Sequence, residues 1–219
     1  TLDDWKSDNN EQFEIKITDK TYQHPSTPVY ENVVTDKNPV TTTIKDNTTD
    51  KPNDPSTTET NGMEKVILKI VAVGENGEPI VKDGKYTFAN EVAEGSNAKY
   101  MVLAFDPKAT EFTTTTVLNS ALQGGTVTIK TVDGTAITTG TKDNAELDYK
   151  SETTKEVTLG TVFEVETLDD YLADDNETFK VSINDSSYKH PSTPTYEYVK
   201  TDSHPVTTTI KDNTSTQTG

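Results

Sequence analysis

Residues 167 to 214 read TLDDYLADDNETFKVSINDSSYKHPSTPTYEYVKTDSHPVTTTIKDNT, and the same stretch has already occurred at residues 1 to 48 as TLDDWKSDNNEQFEIKITDKTYQHPSTPVYENVVTDKNPVTTTIKDNT. The register is ungapped. Thr1 matches Thr167, Trp5 matches Tyr171, His24 matches His190 and Ile44 matches Ile210, with about thirty of the forty-eight positions identical. The offset of 166 positions is too long for a solenoid of small units and fits a tandem array of domains. The chain therefore reads as the tail of one repeat followed by a whole one, and its start in mid-repeat reads as a fragment of something longer.

Within the repeated stretch two runs have the pattern of strands. Phe13-Glu14-Ile15-Lys16-Ile17 alternates apolar and polar residues, as a half-buried strand does. Val40 to Lys45 is rich in β-branched residues, which suit a pleated surface. Between them lies a long loop, residues 21 to 38, where Pro25 and Pro28, with Pro39 just beyond, forbid a central strand. Two strands alone cannot bury a core. The first 48 residues are thus expected to complete a sandwich whose other strands come from elsewhere: another chain, a neighbouring copy in a fibre, or docking on the full domain.

Residues 49 to 62, TDKPNDPSTTETNG, have two prolines and no large apolar side chain, and form the clearest linker. The complete repeat is taken as residues 63 to 214, with 215 to 219 opening the next linker. Val66 to Val73 and Lys99 to Phe105 are strongly apolar strands, and Val127 to Lys130, Lys155 to Leu159 and Val162 to Val165 are shorter ones. Asn76-Gly77 and Asp83-Gly84 supply turns, the second ahead of Tyr86-Thr87-Phe88. Many short strands without useful helical periodicity predict an all-β sandwich; Thr116 to Gln123 (TVLNSALQ) has room for a single helical turn. Hydrophobic residues make up only 30% of the chain, but their alternation points to a lean core rather than disorder. With no cysteine, an extracellular version must be held by packing, metal ions or another device instead of disulfides.

The segments DDNETFKVSI (Asp174 to Ile183) and VTTTIKDN (Val206 to Asn213) resemble two neighbouring groups. One is the Calx-beta domain, with its acidic turn ahead of a strand and its terminal V-T-I strand. The closer resemblance is to the immunoglobulin-like extender repeats of giant repeats-in-toxin adhesins, exported by type I systems of Gram-negative bacteria. It covers the C-terminal third of the repeat well and residues 63 to 160 only loosely. It implies an immunoglobulin-like β-sandwich in tandem, secreted to the bacterial surface. There it would serve cell adhesion or a biofilm fibre as a spacer, stiffened by calcium at turns and linkers.

The carboxylates are the candidate metal ligands. One cluster is Asp169, Asp170, Asp174, Asp175 and Glu177 with Asn176, mirrored by Asp3, Asp4, Asp8 and Glu11 with Asn9 and Asn10. Carboxylates crowded into one turn repel each other unless a cation or solvent intervenes, and Ca2+ accepts six to eight oxygens from such sets. The competing reading is a solvated acidic turn screened by salt. The spacing is not that of an EF-hand loop, which needs a glycine absent here. A second cluster lies between domains, with Asp46, Asn47, Asp50 and Asp54 following the last strand and Asp212 and Asn213 at the equivalent end. An ion there would limit bending; a merely hydrophilic linker needs the same residues.

Other functions find less in the sequence. A net charge of −17 disfavours nucleic acid and anionic membranes, and no stretch is apolar enough to span a bilayer. His24 and His190 are repeat equivalents in a His-Pro-Ser-Thr-Pro loop. Their adjacency to Ser26 and Ser192 is not triad geometry, and no activated nucleophile can be named. The expectation is a non-enzymatic protein whose partners are neighbouring repeats, with self-association into a filament, or glycan binding by the Tyr188 to Glu197 loop and its twin at Tyr22 to Glu31, as rivals.

Overall fold

The computed structural model describes residues 6–7, 10–18, 22, 33–45, 65–107, 109–118, 124–138, 147–169, 176–189, 195–196, 198–202 and 204–212. Three short strands fall in the first copy of the repeated stretch: β1 (Lys6–Ser7), β2 (Gln12–Ile15) and β3 (Val40–Thr43). Twelve follow: β4 (Lys65–Val73), β5 (Val81–Lys82), β6 (Lys85–Tyr86), β7 (Ala89–Ala93), β8 (Asn97–Phe105), β9 (Thr126–Asp133), β10 (Lys155–Thr158), β11 (Val162–Glu166), β12 (Glu177–Ile183), β13 (Thr195–Tyr196), β14 (Tyr198–Thr201) and β15 (Val206–Lys211). No helix occurs among the described residues. The fold is an all-β sandwich.

Two sheets make it. The larger has five strands in the order β10-β9-β12-β15-β7, and the smaller has four, β11-β8-β4-β14. Most neighbours are antiparallel; β15 with β7 and β14 with β4 are parallel and close one edge of each sheet. The inward residues follow the period-two rule of a strand. Phe179, Val181 and Ile183 of β12, Val206, Thr208 and Ile210 of β15, and Val127 and Ile129 of β9 are all buried. They meet Val66, Leu68, Ile70 and Ala72 of β4 and Ala98, Tyr100, Val102 and Ala104 of β8.

The unbroken apolar runs of β4 and β8 have a physical reason. The smaller sheet is covered on both faces, so its central strands cannot alternate with polar residues. On the outer face Val71, Leu103 and Phe105 form a second cluster with Tyr86, Phe88, Phe112 and Val117. Phe105 meets Phe112 edge-on at 4.9 Å, and Phe112 meets Phe88 in the same way at 5.7 Å. This cover is built from the β5–β6 hairpin and the connection after β8. The hairpin turns at Asp83 and Gly84, whose φ of 52° and 77° are the left-handed pair a two-residue turn requires.

The connection after β8 is described only in part. Residues 113 to 116 form a turn, Val117 bridges Phe105, and Leu118 enters the core. The described part of TVLNSALQ is therefore turn and bridge rather than helix; residues 119 to 123 lie outside the described residues. The proline-containing loop of the repeated stretch differs in part from the sequence expectation. Its second copy forms β14, an edge strand on β4, a position that proline nearby permits.

Candidate functional site

The acidic turn of the second copy begins where the sandwich closes. Thr167 is buried; its hydroxyl donates to the Ser96 carbonyl at 2.5 Å and its N–H reaches the same oxygen at 3.0 Å. The Leu168 N–H donates to the Asp148 carbonyl at 2.8 Å. Asp169 then packs over the β7–β8 turn, so closely that a Cβ added at Gly95 would stand 3.1 Å from the Asp169 Cβ. Glu177 opens β12 opposite Ile210. Just before it, Asn176 adopts a φ of 76°, and its side-chain oxygen accepts a hydrogen bond from Lys211. In the first copy Glu11 is exposed, and its carbonyl accepts the Ile44 N–H at 2.8 Å.

Asp169, Glu177 and Glu11 are the expected metal ligands whose placement is described. Asp3, Asp4, Asp8, Asp46, Asp50, Asp170, Asp174 and Asp175 lie outside the described residues. Among the described residues no three carboxylate, histidine or cysteine side chains gather closely enough to hold an ion. The described part of the acidic turn therefore supplies at most two carboxylates, short of a calcium shell by itself. His24 and His190 also lie outside the described residues. His204 is exposed, with Nδ1 2.7 Å from Asp202 Oδ1.

Among the described residues two charged side chains are buried, Asp148, whose Oδ2 accepts the Ile137 N–H at 2.6 Å, and Lys69; neither is among the expected site residues. Lys69, in the middle of β4, sits on the outer face of the smaller sheet with its Nζ 4.2 Å from the ring centre of Phe88 and 4.8 Å from that of Phe112. It donates to Asp202 Oδ2 at 2.7 Å, and the two side chains are 4% and 14% exposed. Asp202 follows β14, and its other oxygen receives the His204 N–H at 2.8 Å. Burial pushes the Asp202 carboxyl up, but hydrogen bonds from Lys69 and His204 outweigh it and hold it below the ordinary carboxylate range. The sequence signal was a lysine inside the apolar run VILKIVAV, since a cation in a strand covered on both faces needs a partner.

Two tyrosines tie the sheets together from within. Tyr100 of β8 shares a hydrogen bond with Thr208 of β15, and Tyr149 stacks on Phe179 with centroids 4.2 Å apart while donating to Asp133. Burial raises both phenols well above their usual value, and for Tyr149 the hydrogen bond to Asp133 adds to the rise.

A cleft of about 710 Å³ opens at the β7–β8 end, lined in part by Asn90, Asn97, Lys99 and Glu164. Its polar groups largely engage one another. Asn97 Nδ2 donates to Glu164 Oε2 at 2.8 Å, Asn90 Nδ2 to the Lys99 carbonyl at 3.3 Å and Lys99 Nζ to the Glu75 carbonyl at 3.3 Å. Such pairing leaves this cleft poorly equipped to orient a substrate.

No protein-family model and no curated protein matches this chain. Among solved structures it is similar to a crystal structure of the apo form of the Calx CBD1 domain, with a TM-score of 0.38 at 16% identity, covering 68% of this chain and 97% of that one. It is also similar to a crystal structure of CBD12 from CALX1.2, with a TM-score of 0.34 at 16% identity, covering 68% of this chain and 45% of that one.

Proposed function

We propose that this chain is a stretch of a tandem array of β-sandwich domains that gives reach to a bacterial surface adhesin or fibre, and that its role is mechanical, not enzymatic. The observation that supports this most is the recurrence of one hairpin in one register. β2 pairs with β3 through Phe13↔Thr42 and Ile15↔Val40, and β12 pairs with β15 through Phe179↔Thr208 and Val181↔Val206. Each partner is displaced by the same 166 positions as the sequence repeat. In this reading residues 63 to 214 are one repeat and residues 49 to 62 are the proline-containing spacer between two. A series of such units joined by short stiff linkers extends in proportion to its number.

Calcium is the stiffening element in this account. The sequence supplies the chemistry: Asp169, Asp170, Asp174, Asp175 and Glu177 fall within nine residues, and Asp46 and Asp50 follow the last strand-like run of the first copy. The test is a melting curve in chelator and in rising calcium, because a ligand bound only by the native state must raise the transition. A rise saturating at or below millimolar calcium is expected. An unchanged transition at millimolar calcium removes the ion and leaves a spacer held by packing alone.

A further inference from the structure

The first copy of the hairpin has the inward face of a core strand pair and, among the described residues, no core beneath it. Of the nine large apolar side chains that are exposed among the described residues, seven belong to it or its loop: Phe13, Ile15, Ile17, Tyr22, Val33, Val34 and Val40. The equivalents of Phe13, Ile15, Ile17 and Val40 are Phe179, Val181, Ile183 and Val206, all buried. The turn and the strand register already match those of the second copy. Asn10 and Asn176 have φ of 78° and 76°, and each donates its N–H to the equivalent isoleucine carbonyl, Ile44 or Ile210, at 3.1 Å. Among the described residues β2 and β3 pair only with each other, whereas β12 and β15 are flanked by β9 and β7.

Two polar residues state what the missing cover must carry. Asp36 is the equivalent of Asp202, and its Oδ1 accepts the Asn38 N–H at 3.0 Å, the turn Asp202 makes with His204. Asp202 spends its other oxygen on the buried Lys69; Asp36 is exposed. Thr42 is the equivalent of Thr208, which meets the Tyr100 hydroxyl inside the sandwich. An aspartate and an inward threonine at these places match a body with a buried lysine and an inward tyrosine.

We infer that the β2–β3 hairpin, with Asp36 ahead of β3, is a preformed closing piece for a second sandwich body of the type that carries β4 to β11, supplied by another copy of the repeat whose own closing piece is not in place. A complete second molecule of this chain is not that body, because its own β12 and β15 already fill the seat. Exchanging one hairpin for its equivalent buries no new surface, while association costs translational freedom. The β1–β13 pairing, Lys6↔Tyr196 and Ser7↔Thr195, connects the piece to its own chain without covering its apolar face.

This inference rests on the tandem-array reading and is tested separately from it. The full chain is compared with a version carrying an added copy of residues 63–166 directly before Thr1, following amide hydrogen exchange at residues 12–16 and 40–45. The amides of β12 and β15 serve as the internal standard. Exchange at the first hairpin is expected to slow by about a hundredfold or more in the extended version. Asp36→Asn, or Lys69→Met in the added body only, is expected to remove much of that slowing and leave the standard unchanged. Equal exchange in the two versions overturns the inference, as does concentration-dependent association of the unextended chain through its first hairpin. Neither result bears on whether the array is extended.

Discussion

Phe13 and Phe179 occupy the same place in the same hairpin, yet Phe179 lies flat against Tyr149 with no exposure while Phe13 is 41% exposed. Closely similar local sequence has produced the same hairpin register, and only the body carrying β4 to β11 makes one hairpin part of a core. The two residues should respond to truncation in opposite ways. Phe179→Ala removes a stacked, fully buried ring and is expected to cost about 3–5 kcal/mol. Phe13→Ala should stay within about 0.5 kcal/mol. Urea unfolding of both variants checks this; comparable losses would mean that Phe13 is packed in solution.

The Lys69–Asp202 pair should be costly to break from one side. Asp202→Asn leaves a buried ammonium among aromatic rings without its counter-charge, at an expected cost of about 3–5 kcal/mol. Lys69→Met keeps the contact with Phe88 and Phe112 and leaves a carboxylate still bonded by the His204 N–H, so its cost should be smaller.

The same carboxylate makes stability depend on pH in a definite direction. Its folded pKa is depressed, so its contribution is fully present above the unfolded value of about 3.9 and is lost as pH falls through the folded value. The difference in urea midpoint between the parent and Asp202→Asn should be constant near neutrality and shrink once pH drops below about 4. A difference that does not change with pH would place the energy of the pair outside its charge.

Tyr100 and Tyr149 should titrate late. Both phenols are raised in the folded state, so their contribution is present below the ordinary tyrosine value of about 10 and is lost as pH rises beyond it. Alkaline difference spectroscopy should find at least two of the nine tyrosines silent until the chain unfolds. Thr208→Val, which strips Tyr100 of its partner, should cost about 1–3 kcal/mol, and Thr42→Val should cost nothing measurable.

The sequence made the sandwich legible where strand patterns are strong, and less so where strands depend on distant partners. Alternation marked the strand that recurs as β12, β-branched content marked the one that recurs as β15, and apolar runs marked β4 and β8 because both faces of their sheet are covered. β7, with the sequence ANEVA, went unrecognised: it is short, carries Asn90 and Glu91, and is held by parallel pairing with a strand more than a hundred positions away. β14 was hidden by the nearby prolines, which exclude a central strand and leave an edge one open. The buried ion pair was half visible, in the lysine interrupting VILKIVAV, but its aspartate lies 133 residues on. The acidic turn shows the opposite limit. Adjacent carboxylates in sequence say nothing of where each side chain points, and Asp169 packs onto Gly95 while Glu177 enters a strand.

Solution scattering tests the account most directly. Chains with one, two and three copies of residues 49–214 following the first hairpin should grow in maximum dimension by a constant increment per copy, more sharply defined with calcium than with chelator. A maximum dimension that rises only as the cube root of mass would mean that the copies pack into a globule, and would contradict a protein whose function is reach.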